Sequence, residues 1–360
     1  MPTIHSTLPP LGSADSRPAG ERANGAADAA KAAVGDLRRL KAKRIALGVL
    51  KPLGVFVPVL LIATFVTFLL RHISGLSPAH VKLGENATPE LVRQIEHEWG
   101  LDRPFLVQYL DWFGGILRGD FGESWWNGTS VTEILASRAV ISLSVAGLAL
   151  LIGVVGGFVL GTLAALFPQS FLDRAITAVA TFISVLPPFV VGVALIAIFA
   201  VTLQWLPAAG YVSLEDGGLG LWLSHILLPA VALSLDTVAD VARQMRVGLI
   251  SAYRENYVTG AIVRGLSGPR IFFVHVLRNG IGPTLTVIGM KFPNLFGGTV
   301  VTEAIFGLSG FGQYAADSAL RGDVPAVQGA LVVSIILVVV FNVAVNIVLN
   351  RVTPAAARGV

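Results

Sequence analysis

Six apolar runs dominate this chain: Pro52–Leu70, Val140–Phe167, Ala175–Leu203, Leu221–Val241, Thr284–Ile305 and Leu331–Leu349. About 20 apolar residues in a helix cross the ~30 Å hydrocarbon core of a bilayer. Lipid offers no partner to a backbone N–H or C=O, so runs of this length fold as helices. The fold class that follows is an all-α polytopic membrane protein with six transmembrane helices. The chain is 54% hydrophobic and only 13% charged, with a mean hydropathy of +0.74, against roughly 25% charge in soluble domains. It contains no cysteine, which excludes disulfides and cysteine-ligated metals.

An even number of spans puts both ends on one side, and the basic residues say which. Arg38-Arg39-Leu40-Lys41-Ala42-Lys43-Arg44 precedes the first span. The same side collects Arg174, Arg243, Arg246, Arg254, Arg264, Arg270, Arg278, Arg351 and Arg358. The segment from residue 71 to about 138 carries six basic residues against nine acids. The loop after the third span has Glu215 and Asp216 and no Lys or Arg. Excess Lys and Arg mark the cytoplasmic face, so both termini are expected to be cytoplasmic. Positive charge gathered on one membrane face answers to topology, and nucleic acid is not expected as a partner.

Residues 1–45 read as a disordered basic cytoplasmic tail. Residues 46–138 hold the first span and a partly helical extracytoplasmic segment, where Thr88-Pro89-Glu90 starts a helix with a cap, a proline and an acid in order. Trp112, Trp125 and Trp126 are expected at the membrane interface. Residues 139–350 form the core, with a basic loop at 246–282, and residues 351–360 a short tail. Pro187-Pro188 interrupts the third span, Pro229 lies in the fourth, and Pro293 with Gly297-Gly298 lies in the fifth. Irregular backbone at membrane depth belongs where it meets protein or a water-filled cavity, which makes Pro187, Pro188 and Pro293 candidates for a pathway lining. Gly153, Gly156, Gly157 and Gly161 allow close helix contact, Gly157 and Gly161 at GxxxG spacing.

Ionisable groups within the spans are few: Asp236 and Asp240 near the inner end of the fourth, Lys291 and Glu303 in the fifth. The aspartates share a helix face, with Arg243 and Arg246 as expected partners, and snorkelling or pairing accounts for them. No chain of acids and histidines suggests a proton relay. The six histidines show no metal-ligand spacing, and no cofactor is expected. A P-loop needs a lysine after its second glycine; beyond Lys51 only Lys82 and Lys291 remain, so ATP hydrolysis would require a separate subunit. Gly265-Leu-Ser-Gly268 and Gly307-Leu-Ser-Gly310 leave an intramembrane serine protease as an alternative, although nothing places a base near either serine. A secondary transporter is a further alternative, without the paired repeats that class shows.

The stretch Ser251–Pro283 is the organising feature. Tyr257, Val258, Ala261 and Ile262 form one apolar face of a short helix, Gly265 ends it, and Ser267 caps a second helix starting near Pro269. A short helix held at both ends suits docking into a groove on another protein; an ordinary basic inside loop is the plainer reading.

The run Tyr257-Val258-x-x-Ala261-x-x-Arg264-Gly265-Leu266-Ser267, followed by His275-Val-Leu-Arg-Asn279, resembles the EAA loop of ABC-importer permeases of the oligopeptide, dipeptide and nickel type. Leu83-Gly84, Ala87-Thr88-Pro89-Glu90, Gly100-Leu-Asp-Arg-Pro104 and Arg118-Gly119-Asp120-Phe121-Gly122 resemble the outer segment of the first of the two paired permeases. Leu206-Pro-Ala-Ala-Gly-Tyr211, Phe306-Gly-Leu-Ser-Gly-Phe-Gly312 and Asp323-Val-Pro-Ala-Val-Gln-Gly329 extend the likeness over residues 70 to 354. The resemblance implies a type I importer fold working by alternating access, a second homologous permease, two ATP-binding subunits and an extracytoplasmic solute-binding protein. By position it gives Tyr257, Ala261, Arg264, Gly265, Leu266 and Ser267 the contact with the ATPase, and it accounts for both Gly-x-Ser-Gly matches. Thr259 and Gly260 depart from the Glu-Ala pair of the motif. A glycine inside a helix costs up to about 1 kcal/mol relative to alanine, so a less rigid coupling helix is expected.

Overall fold

The computed structural model describes Gly54, residues 56–75 and residues 77–352, with side chains through residue 348. The N-terminal tail, its basic run at 38–44, the proline expected to open the first span, and Arg358 lie outside the described residues. Among the described residues the chain is helical apart from turns and one isolated bridge between Glu123 and Ser130.

The first span, α1, is Phe56–Ser74. The outer segment follows as α2 (Pro78–Leu83), α3 (Pro89–Glu98) and α4 (Phe105–Ile116). Thr88 caps α3 as its sequence requires, its hydroxyl accepting from Leu91 N at 3.3 Å. Of the three tryptophans, Trp126 is 39% exposed, and the other two pack on neighbouring aromatic and apolar side chains. Trp125 stacks on Trp99 at 5.0 Å between ring centroids, and Trp112 joins the cluster of Phe68, Tyr109 and Val324. Tyr109 Oη meets Thr64 Oγ1 at 3.0 Å, joining α4 to α1.

The second span, α5, runs over Val131–Leu166, beginning earlier than the apolar run that announces it. The third span is two helices, α6 (Phe171–Val185) and α7 (Pro188–Thr202), meeting at 101°. A residue before proline is driven out of the α region. Leu186 precedes Pro187 and has ψ 124°; Pro187 precedes Pro188 and has ψ 136°, after which Pro188 opens α7. Two consecutive prolines therefore make the bend.

α8, Leu214–Tyr253, is the fourth span, 40 residues long with an early break at Gly218 (φ 66°, ψ −179°). It continues straight through Asp236, Asp240, Arg243 and Arg246, past the end expected from hydropathy. A short helix, α9 (Asn256–Val263), follows. Then come α10 (Gly268–Gly280) and α11 (Gly282–Ile305), bent by 50°. The fifth span thus bends at Ile281, where Gly282 and Pro283 start a new helix, and not at Pro293, which sits within an unbroken α11. α12 (Phe311–Arg321) and the last span, α13 (Val324–Val352), complete the chain. By length and composition four helices cross a membrane, or six spans when each bent pair counts as one, which agrees with the all-α six-span class.

α5 and α8 form the most extensive helix pair, and the glycine stripe explains why. A Cβ on Gly153 would stand 2.5 Å from Thr237 Cγ2, one on Gly157 2.5 Å from Val241 Cβ, and one on Gly161 2.7 Å from Met245 Cβ. Only hydrogen in place of a side chain lets the backbones approach this closely.

Candidate functional site

At the end of α8 the chain turns sharply into α9. Val258 and Ala261 are buried there against Ala165, Met245, Leu249, Ala252, Ile271 and Val276. They lie three residues apart, so one face of α9 is pinned to α5, α8 and α10. The other face is open: Tyr257 is 36% exposed, Ile262 61% and Val263 82%. Exposed apolar side chains on a short helix are those a partner would cover.

The end of α9 is closed by backbone geometry. Gly265 has φ 74°, a left-handed conformation that glycine adopts without penalty. Gly265 N then donates to Ile262 O at 2.9 Å and Leu266 N to Ala261 O at 3.2 Å. These two bonds are the Schellman pattern, and Leu266 packs on the buried side as that motif requires. Arg264 Nε donates to Gly260 O at 3.0 Å, a cation at a helix C-terminus as the dipole favours, and the side chain remains exposed. Burial pushes the Tyr257 phenol above its ordinary pKa, against a smaller downward pull from Asn279. Ser267 takes the cap position of α10 with extended backbone, although its hydroxyl makes no cap bond.

Of the six residues marked for this contact, Tyr257, Arg264, Gly265 and Ser267 are exposed, Leu266 is half-buried and Ala261 is fully buried. Ala261 therefore shapes the surface from beneath. α10 is held as tightly on its own side. Gly248 and Gly280 cross backbone on backbone, with no room for a Cβ on either, so α8 and α10 are in direct main-chain contact behind α9.

Two ion-pair groups tie α8 to α6 and to α11. Asp173, 3% exposed at the start of α6, accepts from Arg246 Nε at 2.5 Å and Nη2 at 2.7 Å. The parallel pair of bonds is the fork geometry suited to arginine and carboxylate. Earlier on α8, Lys291 Nζ of α11 reaches Asp236 at 2.6 Å and also pairs with Asp240; Asp240 pairs with Arg243 as well. Pairing thus accounts for the aspartates, but the partner of Asp236 is Lys291 and that of Arg246 is Asp173. Glu303, fully buried, accepts from Ser142 Oγ at 2.5 Å and from Gln313 N at 2.8 Å. It satisfies a first-turn N–H of α12, which Gly310 makes room for.

The marked prolines fall elsewhere. Pro187 and Pro188 are exposed at the bend between α6 and α7, and Pro293 is half-buried within α11. Sequence reading missed Lys291 as the partner of both aspartates. The available signal was a lone cation midway along one span facing two acids on another.

Three comparisons bear on this arrangement. Residues 157–358 match the family described as "Binding-protein-dependent transport system inner membrane component", and residues 47–146 match its N-terminal companion. The chain is 35% identical over 294 residues to the probable peptide ABC transporter permease protein y4tP of Sinorhizobium fredii, covering 82% of this chain and 93% of that one. It is 32% identical over 323 residues to the di/tripeptide transport system permease protein DppB of Pseudomonas aeruginosa, covering 84% and 96%. A solved structure of the MetNI methionine ABC transporter in inward-facing form aligns with a TM-score of 0.50 at 17% identity, covering 61% of this chain and 97% of that one. That likeness speaks for the fold.

Proposed function

The chain belongs to the family of binding-protein-dependent transport system inner membrane components, and from that membership we propose how its parts work. It is a multi-pass inner-membrane permease of an ATP-driven importer, a transport subunit rather than an enzyme; ATP hydrolysis resides on separate subunits. In our reading it pairs with a second, homologous permease, the two enclosing the route for solute. Two ATP-binding subunits sit at the face carrying α9, and a solute-binding protein delivers cargo to the opposite face. Both termini then lie on the cytoplasmic side, with membrane lipid around the exposed apolar faces. The cargo is a di- or oligopeptide or a similar small solute, as the names of the relatives suggest.

The observation that carries the docking role is the split character of α9. One face is fastened to the bundle by Val258 and Ala261, and the other presents Ile262 and Val263, 61% and 82% exposed, beside the partly covered Tyr257. Tyr257, Arg264, Gly265, Leu266 and Ser267 make the contact with the ATPase, and Ala261 sets its height. Because α9 is joined to α8 and α10, a push on it moves two spans together and drives alternating access. Pro187, Pro188 and Pro293 are the wall candidates.

The test is Arg264→Glu in the assembled complex. Membrane insertion should be normal while stimulation of ATP hydrolysis by cargo-loaded binding protein is lost. A variant that assembles and is stimulated like wild type removes the docking role from this loop.

A further inference from the structure

The Lys291 triad does more than hold two helices together. Lys291 lies near the middle of α11, and its side chain is only 9% exposed. The two carboxylates lie in front of it, the Asp236 side chain 47% and the Asp240 side chain 30% exposed. Asp236 uses Oδ2 on Lys291, and among the described residues nothing donates to its other oxygen. Thr286, Met290 and Asn294 of α11 are exposed too, as is Arg243 of α8.

The other sides of both helices are committed to the core. Thr237 and Val241 of α8 rest on the glycines of α5, and Gly289 of α11 meets Val345 of α13. Phe292 of α11 stacks on Phe341 of α13 at 4.0 Å. The free face of α8 and α11 therefore carries charged and polar groups beside Met290 midway along both helices, unlike the free face of α6, where Phe182 and Val185 are exposed. Ionised groups within a span face protein or water, not lipid. With its ammonium buried behind the acids, the triad, of net formal charge −1, shows carboxylate oxygen outward. The Arg243 guanidinium, 47% exposed, pairs with Asp240 and leaves Asp236 as the outward acid with no second cation among the described residues.

We propose that this face of α8 and α11 is the chain's mid-depth wall of the solute route, and that Asp236 and Asp240 there favour a cationic group, the primary ammonium of the cargo, over an anionic one. The proposal rests on the transport reading above and adds the place and the sign of a specificity contact. Asp236 is the better placed of the two, being more exposed and having a free oxygen. Asp240 shares its carboxylate between Lys291 and Arg243.

The chain has no native cysteine, so Asn294→Cys puts a single thiol on it, one turn from Lys291. The whole complex in lipid vesicles is treated with cationic trimethylammonium-ethyl or anionic sulfonatoethyl methanethiosulfonate. Adducts are counted on this chain by mass, and rates are divided by those of a free thiol. The proposal expects both reagents to reach the thiol, the cationic one faster by about tenfold, as opposite-sign attraction within several ångströms provides. Asp236→Asn should bring that ratio to near one, and Asp236→Glu should keep it. The ratio in the Asn294→Cys background decides by itself if Asp236→Asn fails to assemble. Labelling by a membrane-dissolved maleimide alone, by no reagent, or by both charged reagents at equal normalised rates would overturn the proposal. Copurification of ATPase subunits from the same preparation tests the transport reading separately, so the two can fail independently.

Discussion

Replacing Gly260 by alanine isolates the stiffness of the coupling helix. Gly260 lies inside α9, and a Cβ built on it has nothing within 4 Å. No φ between +20° and +160° forbids a side chain there, in contrast to Gly265. The substitution therefore adds no clash within this chain and removes the conformational freedom that glycine brings to the unfolded turn. The gain is up to about 1 kcal/mol of helix stability, or about fivefold in the local opening equilibrium. The readout is hydrogen exchange at the amides of Arg264, Gly265 and Leu266, whose bonds to Gly260, Ile262 and Ala261 close the helix. Exchange at these amides should slow by up to about fivefold, while α5 and α8 are unchanged. Unaltered exchange would refute the view that Gly260 leaves α9 short of its available stability. Cargo-stimulated ATP hydrolysis on the same sample then reports whether the added methyl also fits beneath the partner.

Gly157→Ala should lower the thermal stability of the purified complex by about 1–3 kcal/mol, the usual range for overpacking. The new methyl would stand 2.5 Å from Val241 Cβ and 2.8 Å from Val238 O, whereas Gly147→Ala, with nothing within 4 Å, should be close to neutral under the same melt. Asp173→Asn should destabilise the chain by an amount at or below the low end of the about 3–5 kcal/mol seen when a buried pair is broken, because the Arg246 side chain is 30% exposed. A double-mutant cycle with Arg246→Gln measures that coupling, and a value near zero would contradict it.

Much of the architecture was written locally. Two adjacent prolines forced the bend at residue 187, the Gly157 and Gly161 spacing marked the α5–α8 contact, and Gly265 ended α9. The fifth span shows where local reading fails. Pro293 lacks only one donor, and the helix passes through it, whereas Gly282-Pro283 is the pair that restarts the chain after Ile281. The length of α8 was hidden for a different reason. Hydropathy falls at Asp240 and Arg243, but partners on α6 and α11, 73 and 55 residues away, neutralise Arg246 and Asp236. Such pairings have no local spacing to reveal them, so charges within the helix looked like the end of a span. In the same way the apolar face read on α9 gave no sign that it would be split, with Val258 and Ala261 buried and Tyr257 and Ile262 exposed.

The docking role of α9 is tested most directly by a photo-crosslinker carried on Val263→Cys, at the most exposed of the helix's large apolar side chains (82%). In the assembled complex it should link this chain to an ATP-binding subunit, more strongly or weakly as nucleotide changes. A link formed only to the solute-binding protein or to lipid, with the ATP-binding subunits present and unlinked, would contradict the account.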